Sequence, residues 1–242
     1  MHRFYLPPAQ CQGDLLRLEG AEAHHAAGVL RLQPGETVVV LDGAGAEYEC
    51  QVEHSDRGQL SLAVKQKKNH PPPPCRVTLA LAIPKGKIIE SILQKATELG
   101  AAAIIPLLTE RVATRLDGEG AEHKAAKWRQ VAIEAIKQCG QPWLPHVAAP
   151  VTLAEYLPRN DSFDLSLVGS LQGDGRHPRG YFAGKPSTVR LWIGPEGDFT
   201  PAELDAIRAS GAKPITLGSL VLRVETAAIY ALSIVKYEIA SL

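Results

Sequence analysis

No two cysteines lie close enough in this chain to suggest a metal site or a redox dithiol. Cys11, Cys50, Cys75 and Cys139 are separated by 39, 25 and 64 residues, and no C-x-x-C or H-E-x-x-H spacing occurs, so zinc and thiol–disulfide chemistry are not expected. The four read as buried thiols of a reducing compartment. An excess of charge is missing too. The 26 Lys+Arg balance 26 Asp+Glu, so no overall positive field draws in nucleic acid, and such a partner must be met by local patches. No apolar run approaches the roughly 18 residues of a membrane span, and Met1 to Pro8 lack the apolar core of a signal peptide, so no membrane contact and a cytoplasmic location are expected. A G-x-x-x-x-G-K-[ST] loop and a G-x-S-x-G nucleophile elbow are both absent, which argues against a P-loop nucleotidase and against covalent serine catalysis.

What is present is an ordinary globular composition, 45% apolar and 21% charged over 242 residues, enough for one large domain or two modest ones. Pro71-Pro72-Pro73-Pro74 marks a boundary, because consecutive prolines supply no donor and favour a stiff extended spacer. Domains are therefore expected at 1–72 and 75–242. Upstream, Thr37–Leu41, Glu47–Val52 and Gln59–Val64 read as strands of a small barrel or meander. A helix over Glu22–Leu32 interrupts them. The Gly43-Ala44-Gly45 segment between strands reads as a turn. His24 and His25 are adjacent, and on a helix they diverge by ~100°, so they cannot easily share one metal.

Downstream, apolar runs at Val77–Ile83, Ala103–Leu108, Asp164–Val168, Val189–Ile193 and Pro214–Leu217 alternate with amphipathic helices, the pattern of a parallel sheet covered on both faces. Helices are predicted over Ile88–Leu99, around Trp128–Ile136, from Thr200 (a capping box with Pro201) to Gly211, and over Thr226–Ile239. Three strands run into glycine-bearing loops: Gly169-Ser170, Gly194-Pro195-Glu196-Gly197 and Gly218-Ser219. In an open parallel sheet, ligands bind beyond the carboxyl ends of strands, and glycine lets backbone approach a ligand closely. Each loop alone is an ordinary tight turn. The three together, with Glu196 and Arg223 nearby, suggest a pocket. Between residues 75 and 150 there are 10 basic and 7 acidic side chains, the only third of the chain that is net basic.

Several longer stretches resemble one family. Ile83-Pro84-Lys85-Gly86, Gln94-Lys95-Ala96-Thr97-Glu98-Leu99-Gly100, Thr109-Glu110-Arg111, Trp192-Ile193-Gly194-Pro195-Glu196-Gly197 and Leu217-Gly218-Ser219-Leu220-Val221-Leu222-Arg223-Val224-Glu225-Thr226-Ala227 are similar to motifs of the RsmE family of ribosomal RNA methyltransferases. Arg3-Phe4-Tyr5 and His25 through Arg31 look like that family's N-terminal RNA-binding module. The resemblance implies a PUA-like β-barrel followed by a SPOUT parallel-sheet domain with a deep trefoil knot, acting as a homodimer without metal. It implies S-adenosyl-L-methionine as cofactor and N3 of a uridine in 16S rRNA, within the 30S ribosomal subunit, as target. The cofactor site carried over comprises Leu167 and Gly169; Ile193, Gly194, Pro195, Glu196 and Gly197; and Leu217, Gly218, Leu220, Leu222, Arg223 and Thr226. Arg223 is the catalytic candidate, as an electrostatic group near cofactor or substrate or else as a salt-bridge anchor for Glu196 or Glu225. RNA contacts are expected from Arg3, His25, Arg31, Lys85, Arg111 and Arg115.

Two positions depart from the family pattern. Asp198 stands where the loop often has a second glycine, which is tolerable if its φ is negative, and its carboxylate is then expected at the start of the Thr200 helix. Gln141 stands where an arginine is usual, which weakens an RNA contact there. Two rival readings carry their own tests: a non-catalytic RNA-binding factor would not bind the cofactor, and a nucleotide-dependent metabolic enzyme would not bind RNA.

Overall fold

A computed structural model describes residues 1–56, 58–112, 118–159 and 162–240. The chain packs into two compact units, one of Met1–Pro72 with Ile133–Leu144 and the other of Pro73–Ala132 with Pro145–Leu242.

The first unit is a five-stranded sheet in the order β1-β3-β4-β5-β2. Its strands are β1 (His2–Tyr5), β2 (Leu15–Glu19), β3 (Thr37–Leu41), β4 (Ala46–Ser55) and β5 (Gln59–Asn69). The strand β1 runs parallel to β3, and the other pairs are antiparallel. The path ends at β1 and β2, so the sheet curls into a half-barrel. Phe4, Leu16, Leu18, Val38, Val40, Cys50, Leu60 and Leu62 fill it. The two end strands, HRFY and LLRLE, were not expected, because polar residues interrupt each and leave no continuous apolar run like that of β3. The helix expected over Glu22–Leu32 is instead a short α1 (Gly20–His24) that widens into a π-helical turn over His25–Val29. Leu30 N–H bonds the His25 carbonyl at 2.9 Å, and Arg31 turns the chain away at φ +55°.

The segment Ile133–Leu144 is stitched onto this sheet. Gly45 N–H donates to the Pro142 carbonyl and Leu144 N–H to that of Gly43, both at 3.0 Å. Trp143 Nε1 donates to the Pro71 carbonyl at 3.2 Å. A β-carbon on Gly45, at φ +98°, would collide with the Trp143 ring at Cζ2, so Gly43-Ala44-Gly45 is a turn that also seats a tryptophan.

The second unit is an all-parallel sheet in the order β12-β10-β11-β6-β7-β8. Its strands are β6 (Arg76–Ala82), β7 (Ala103–Leu108), β8 (His146–Val147), β9 (Val151–Thr152), β10 (Leu165–Gly169), β11 (Thr188–Ile193) and β12 (Lys213–Ile215), with β9 also pairing β7. Five strands coincide with the expected apolar runs to within about two residues. The strands β8 and β9 were not anticipated, since two residues carry no pattern. Helix α2 (Ile88–Glu98) buries Ile89, Ile92, Leu93 and Ala96, a stripe at helical spacing. Helix α3 covers Gly118–Cys139 and α4 Leu153–Tyr156, while α5 (Pro201–Ala209) opens on the expected capping box between Thr200 and Glu203. The last helix, α6 (Val224–Ala240), buries Val224, Ala228, Ala231, Leu232 and Val235.

Cys11, Cys50 and Cys75 are buried, whereas Cys139 is exposed at the end of α3, against the expectation of four buried thiols. Burial pushes the Cys11 thiol up to about 11 and that of Cys50 up to about 12, so both stay protonated at neutral pH. No helix among the described residues is long and apolar enough to cross a membrane.

Candidate active site

The sheet order brings the three glycine loops together. Strand β10 lies between β11 and β12, so the carboxyl ends of all three open on one stretch of the sheet's edge. There Gly169, Ile193, Gly194, Pro195, Glu196, Leu217, Gly218, Leu220 and Leu222 line a cavity of about 610 Å³, counting its open mouth. Nine of the thirteen cofactor candidates line it. Of the other four, Leu167 is fully buried inside β10. Gly197 faces Arg111, and Thr226 lies in a separate cleft with Ser91 and Lys95. Arg223 is exposed at the start of α6, where its carbonyl accepts the Ala227 N–H at 2.8 Å.

Six lining residues were missed: Ser170, Leu171, Asp198, Val221, Val224 and Ala227. Ser170, Asp198 and Val221 adjoin or interrupt the quoted motifs. Val224 and Ala227, three apart on the first turn of α6, share the face that a helical period predicts.

The Gly194–Asp198 loop is pinned from both sides. Glu196 Oε1 accepts the Lys85 N–H at 2.9 Å, and the Arg111 guanidinium donates to the carbonyls of Gly197 and Asp198. Asp198 has φ +60°, not the negative value its side chain would prefer, which is why a glycine is usual there. Its Oδ1 accepts the N–H of the next residue, Phe199, at 2.8 Å. It therefore closes the loop on itself, and the helix cap is left to Thr200. On the opposite wall Ser170 Oγ donates to Asp174 at 2.7 Å, and Asp174 pairs with Arg208 of α5.

Arg223 makes no ion pair with Glu196 or Glu225 among the described residues, so its guanidinium is available. The backbone N–H groups of Leu220 and Leu222 likewise find no acceptor there. Apolar walls with free backbone donors suit a flat heterocycle bearing acceptor nitrogens.

The RNA candidates scatter. Lys85 and Arg111 are exposed beside the Gly194–Asp198 loop. On the first unit His25, Arg31 and the apolar Val29 (62% exposed) surround the π-helical turn, with the His25 ring edge-on to Phe4. Arg3 is engaged inside that unit, donating to the α3 C-terminal carbonyls of Gln138 at 3.1 Å and Lys137 at 3.4 Å. It caps a helix. Arg115 lies outside the described residues.

A family profile described as an RNA methyltransferase domain matches residues 71–236, and one described as an RNA methyltransferase PUA domain matches 18–65. The chain belongs to the ribosomal RNA small subunit methyltransferase E family. The family's protein from Synechocystis is 34% identical, over 96% of this chain and 76% of its own. Two solved structures share its fold. A Legionella pneumophila protein described as a methyltransferase, with bound SAM, superposes with a TM-score of 0.89 at 34% identity, covering 97% of this chain and 96% of that one. The family's protein from Neisseria gonorrhoeae, bound to S-adenosyl methionine, gives 0.86 at 27% identity, covering 98% and 97%. The expected fold class, a PUA-like β-barrel followed by a SPOUT parallel-sheet domain, is observed, with the N-terminal sheet curled into a half-barrel.

Proposed function

We propose that this chain transfers the methyl group of S-adenosyl-L-methionine to N3 of a uridine in 16S rRNA, acting in the cytoplasm as a homodimer on the 30S particle. The cavity built by three glycine loops at one edge of the parallel sheet carries the reading. When bound, the cofactor supplies a methyl group already activated by its sulfonium, so no metal is called for.

The chain's residues supply position and charge. Uracil N3 bears a proton at neutral pH, and the ring must approach its anion as the methyl moves. The Arg223 guanidinium, next in the chain to the lining residues Leu222 and Val224 and without an ion-pair partner among the described residues, is the group to stabilise charge growing on O2 or O4. The pinning of the Gly194–Asp198 loop by Lys85 and Arg111 holds one wall fixed, which in-line transfer requires. The base must leave its stack to be reached, a task assigned here to the RNA-binding unit. In this division of labour residues 1–72 select the RNA and 75–242 perform the transfer. The position of β10 between β11 and β12 supports the knotted threading implied by the family.

Calorimetry with S-adenosylmethionine tests the cofactor, and mass mapping of 16S rRNA from treated, unmethylated 30S particles tests the target. Heat of binding together with a gain of one methyl on a uracil ring is expected. Absence of binding, or a methyl on ribose or on another base, would overturn the proposal.

A further inference from the structure

On the first unit, β5 continues beyond its neighbour on one side. The strand β2 pairs only with residues 59–63 of β5, leaving residues 65–69 as an open strand edge. That edge reads Lys65-Gln66-Lys67-Lys68-Asn69, all exposed. Its register against β4 also shifts: Glu49 faces Gln66 and Cys50 faces Val64, so Lys65 is the extra residue of a bulge, a device that re-aims a side chain. Lys67 lies opposite Tyr48, its ammonium 5.1 Å from the ring centroid, and Lys68 stands opposite Glu47.

None of the three lysines forms an ion pair among the described residues. Two of the neighbouring carboxylates have other partners. Glu47 takes His70 at 3.1 Å, and Asp42 accepts the N–H groups of Ala44 at 2.7 Å and Ala46 at 2.8 Å. Glu49, opposite Gln66, and Asp14, whose carbonyl accepts the Val64 N–H at 2.8 Å, also lie nearby, so the three lysines stand among acidic neighbours without pairing to them among the described residues. Lys67 and Lys68 are adjacent on the strand and point to opposite faces, so the three cations flank the open edge on both sides within four residues.

We propose that the Lys65–Lys68 edge is a phosphate-tracking surface for the RNA backbone, separate from the His25–Arg31 turn. The inference rests on the functional reading above for the identity of the polyanion. Lysines on an open edge also block strand-to-strand aggregation, and that role makes a different prediction.

The test uses the full chain. Binding to unmethylated 30S particles is measured across a potassium chloride series for wild type, for Lys65→Gln with Lys67→Gln and Lys68→Gln, and for the matching triple arginine variant. The glutamine variant should flatten the slope of log K against log salt by about two units, at roughly 0.7–0.9 per lost phosphate contact. It should also raise KM for 30S about tenfold, while the Kd for S-adenosylmethionine holds. The arginine variant should restore both. An unchanged slope in a glutamine variant that binds like wild type would overturn the proposal. So would self-association with an unchanged slope, which would leave only the anti-aggregation role. Wild type that fails to bind 30S at all would sink the functional reading along with this surface.

Discussion

A β-carbon placed on Gly194 would lie 2.9 Å from Oδ1 of Asp198, whose own backbone sits at φ +60°. The two positions of the cofactor loop therefore constrain each other. Gly194→Ala should weaken S-adenosylmethionine binding at least tenfold, and less so when combined with Asp198→Gly, which removes the clashing carboxylate. Asp198→Ala keeps the left-handed backbone and loses the bond to Phe199. It should destabilise by about 1–2 kcal/mol, while Asp198→Gly should be close to neutral. Chemical denaturation and a four-variant calorimetric cycle check both, and additive effects of Gly194→Ala and Asp198→Gly would show that the loop is not coupled in this way.

Arg223 has no carboxylate partner among the described residues, so its removal should cost catalysis and not stability. Arg223→Ala should lower kcat by about 10²–10³, the size typical of a lost preorganised charge or donor, with the melting temperature within about 1 °C of wild type. A drop of several degrees with kcat intact would make it a structural anchor.

Lys137 links α3 to Glu22 at 2.7 Å and Glu134 at 3.0 Å, with its side chain only 9% exposed. Burial pulls its pKa down, but the hydrogen bonds its ammonium donates to Glu22 and then Glu134 outweigh this and leave it above the ordinary lysine value. The ammonium is thus favoured in the folded state. Its contribution is fully present below the unfolded lysine pKa and fades as pH rises above about 10.5 through the raised value. Lys137→Met, which strands Glu22, should destabilise by about 2–3 kcal/mol at neutral pH, with the gap to wild type closing in alkali. Urea melts at pH 7 and near pH 11 measure this. A gap that widens with pH would contradict the assignment.

Arg3→Ala should lower stability, because the guanidinium caps α3, and should leave the salt dependence of RNA binding as it was. Arg31→Ala should reduce that slope by about one unit without a stability cost. Deleting residues 1–72 would strip the cover from Trp143 and Leu144, so the remainder is expected to bind a hydrophobic dye and aggregate. Thermal melts and a salt titration of each point variant separate the two arginines.

Tyr230 and Tyr237, 47% and 71% exposed and seven residues apart on α6, form an apolar stripe away from its buried side. The homodimer is expected to cover it. Tyr230→Glu with Tyr237→Glu should convert a dimer into a 26.0 kDa monomer by light scattering. A dimer that survives the double change would need another interface.

Local physics alone settled much of this protein. Hydrophobic period located β3, β6, β7, β11 and the faces of α2 and α6, and Thr200-Pro201-Ala202-Glu203 announced a helix start whose capping box is present, because each depends on residues a few positions apart. The glycine loops were visible for the same reason. What only tertiary structure decided depends on partners distant in sequence. The order β12-β10-β11 brings the three loops into one cavity, and no strand's own residues encode which neighbour it pairs with. Arg3 and Arg31 look alike as isolated cations, yet one meets the carbonyls of a helix end more than 130 positions away and the other points into solvent. Asp198 takes a left-handed backbone because the loop it closes is held between Lys85 and Arg111, a constraint that the residues beside it in sequence do not impose.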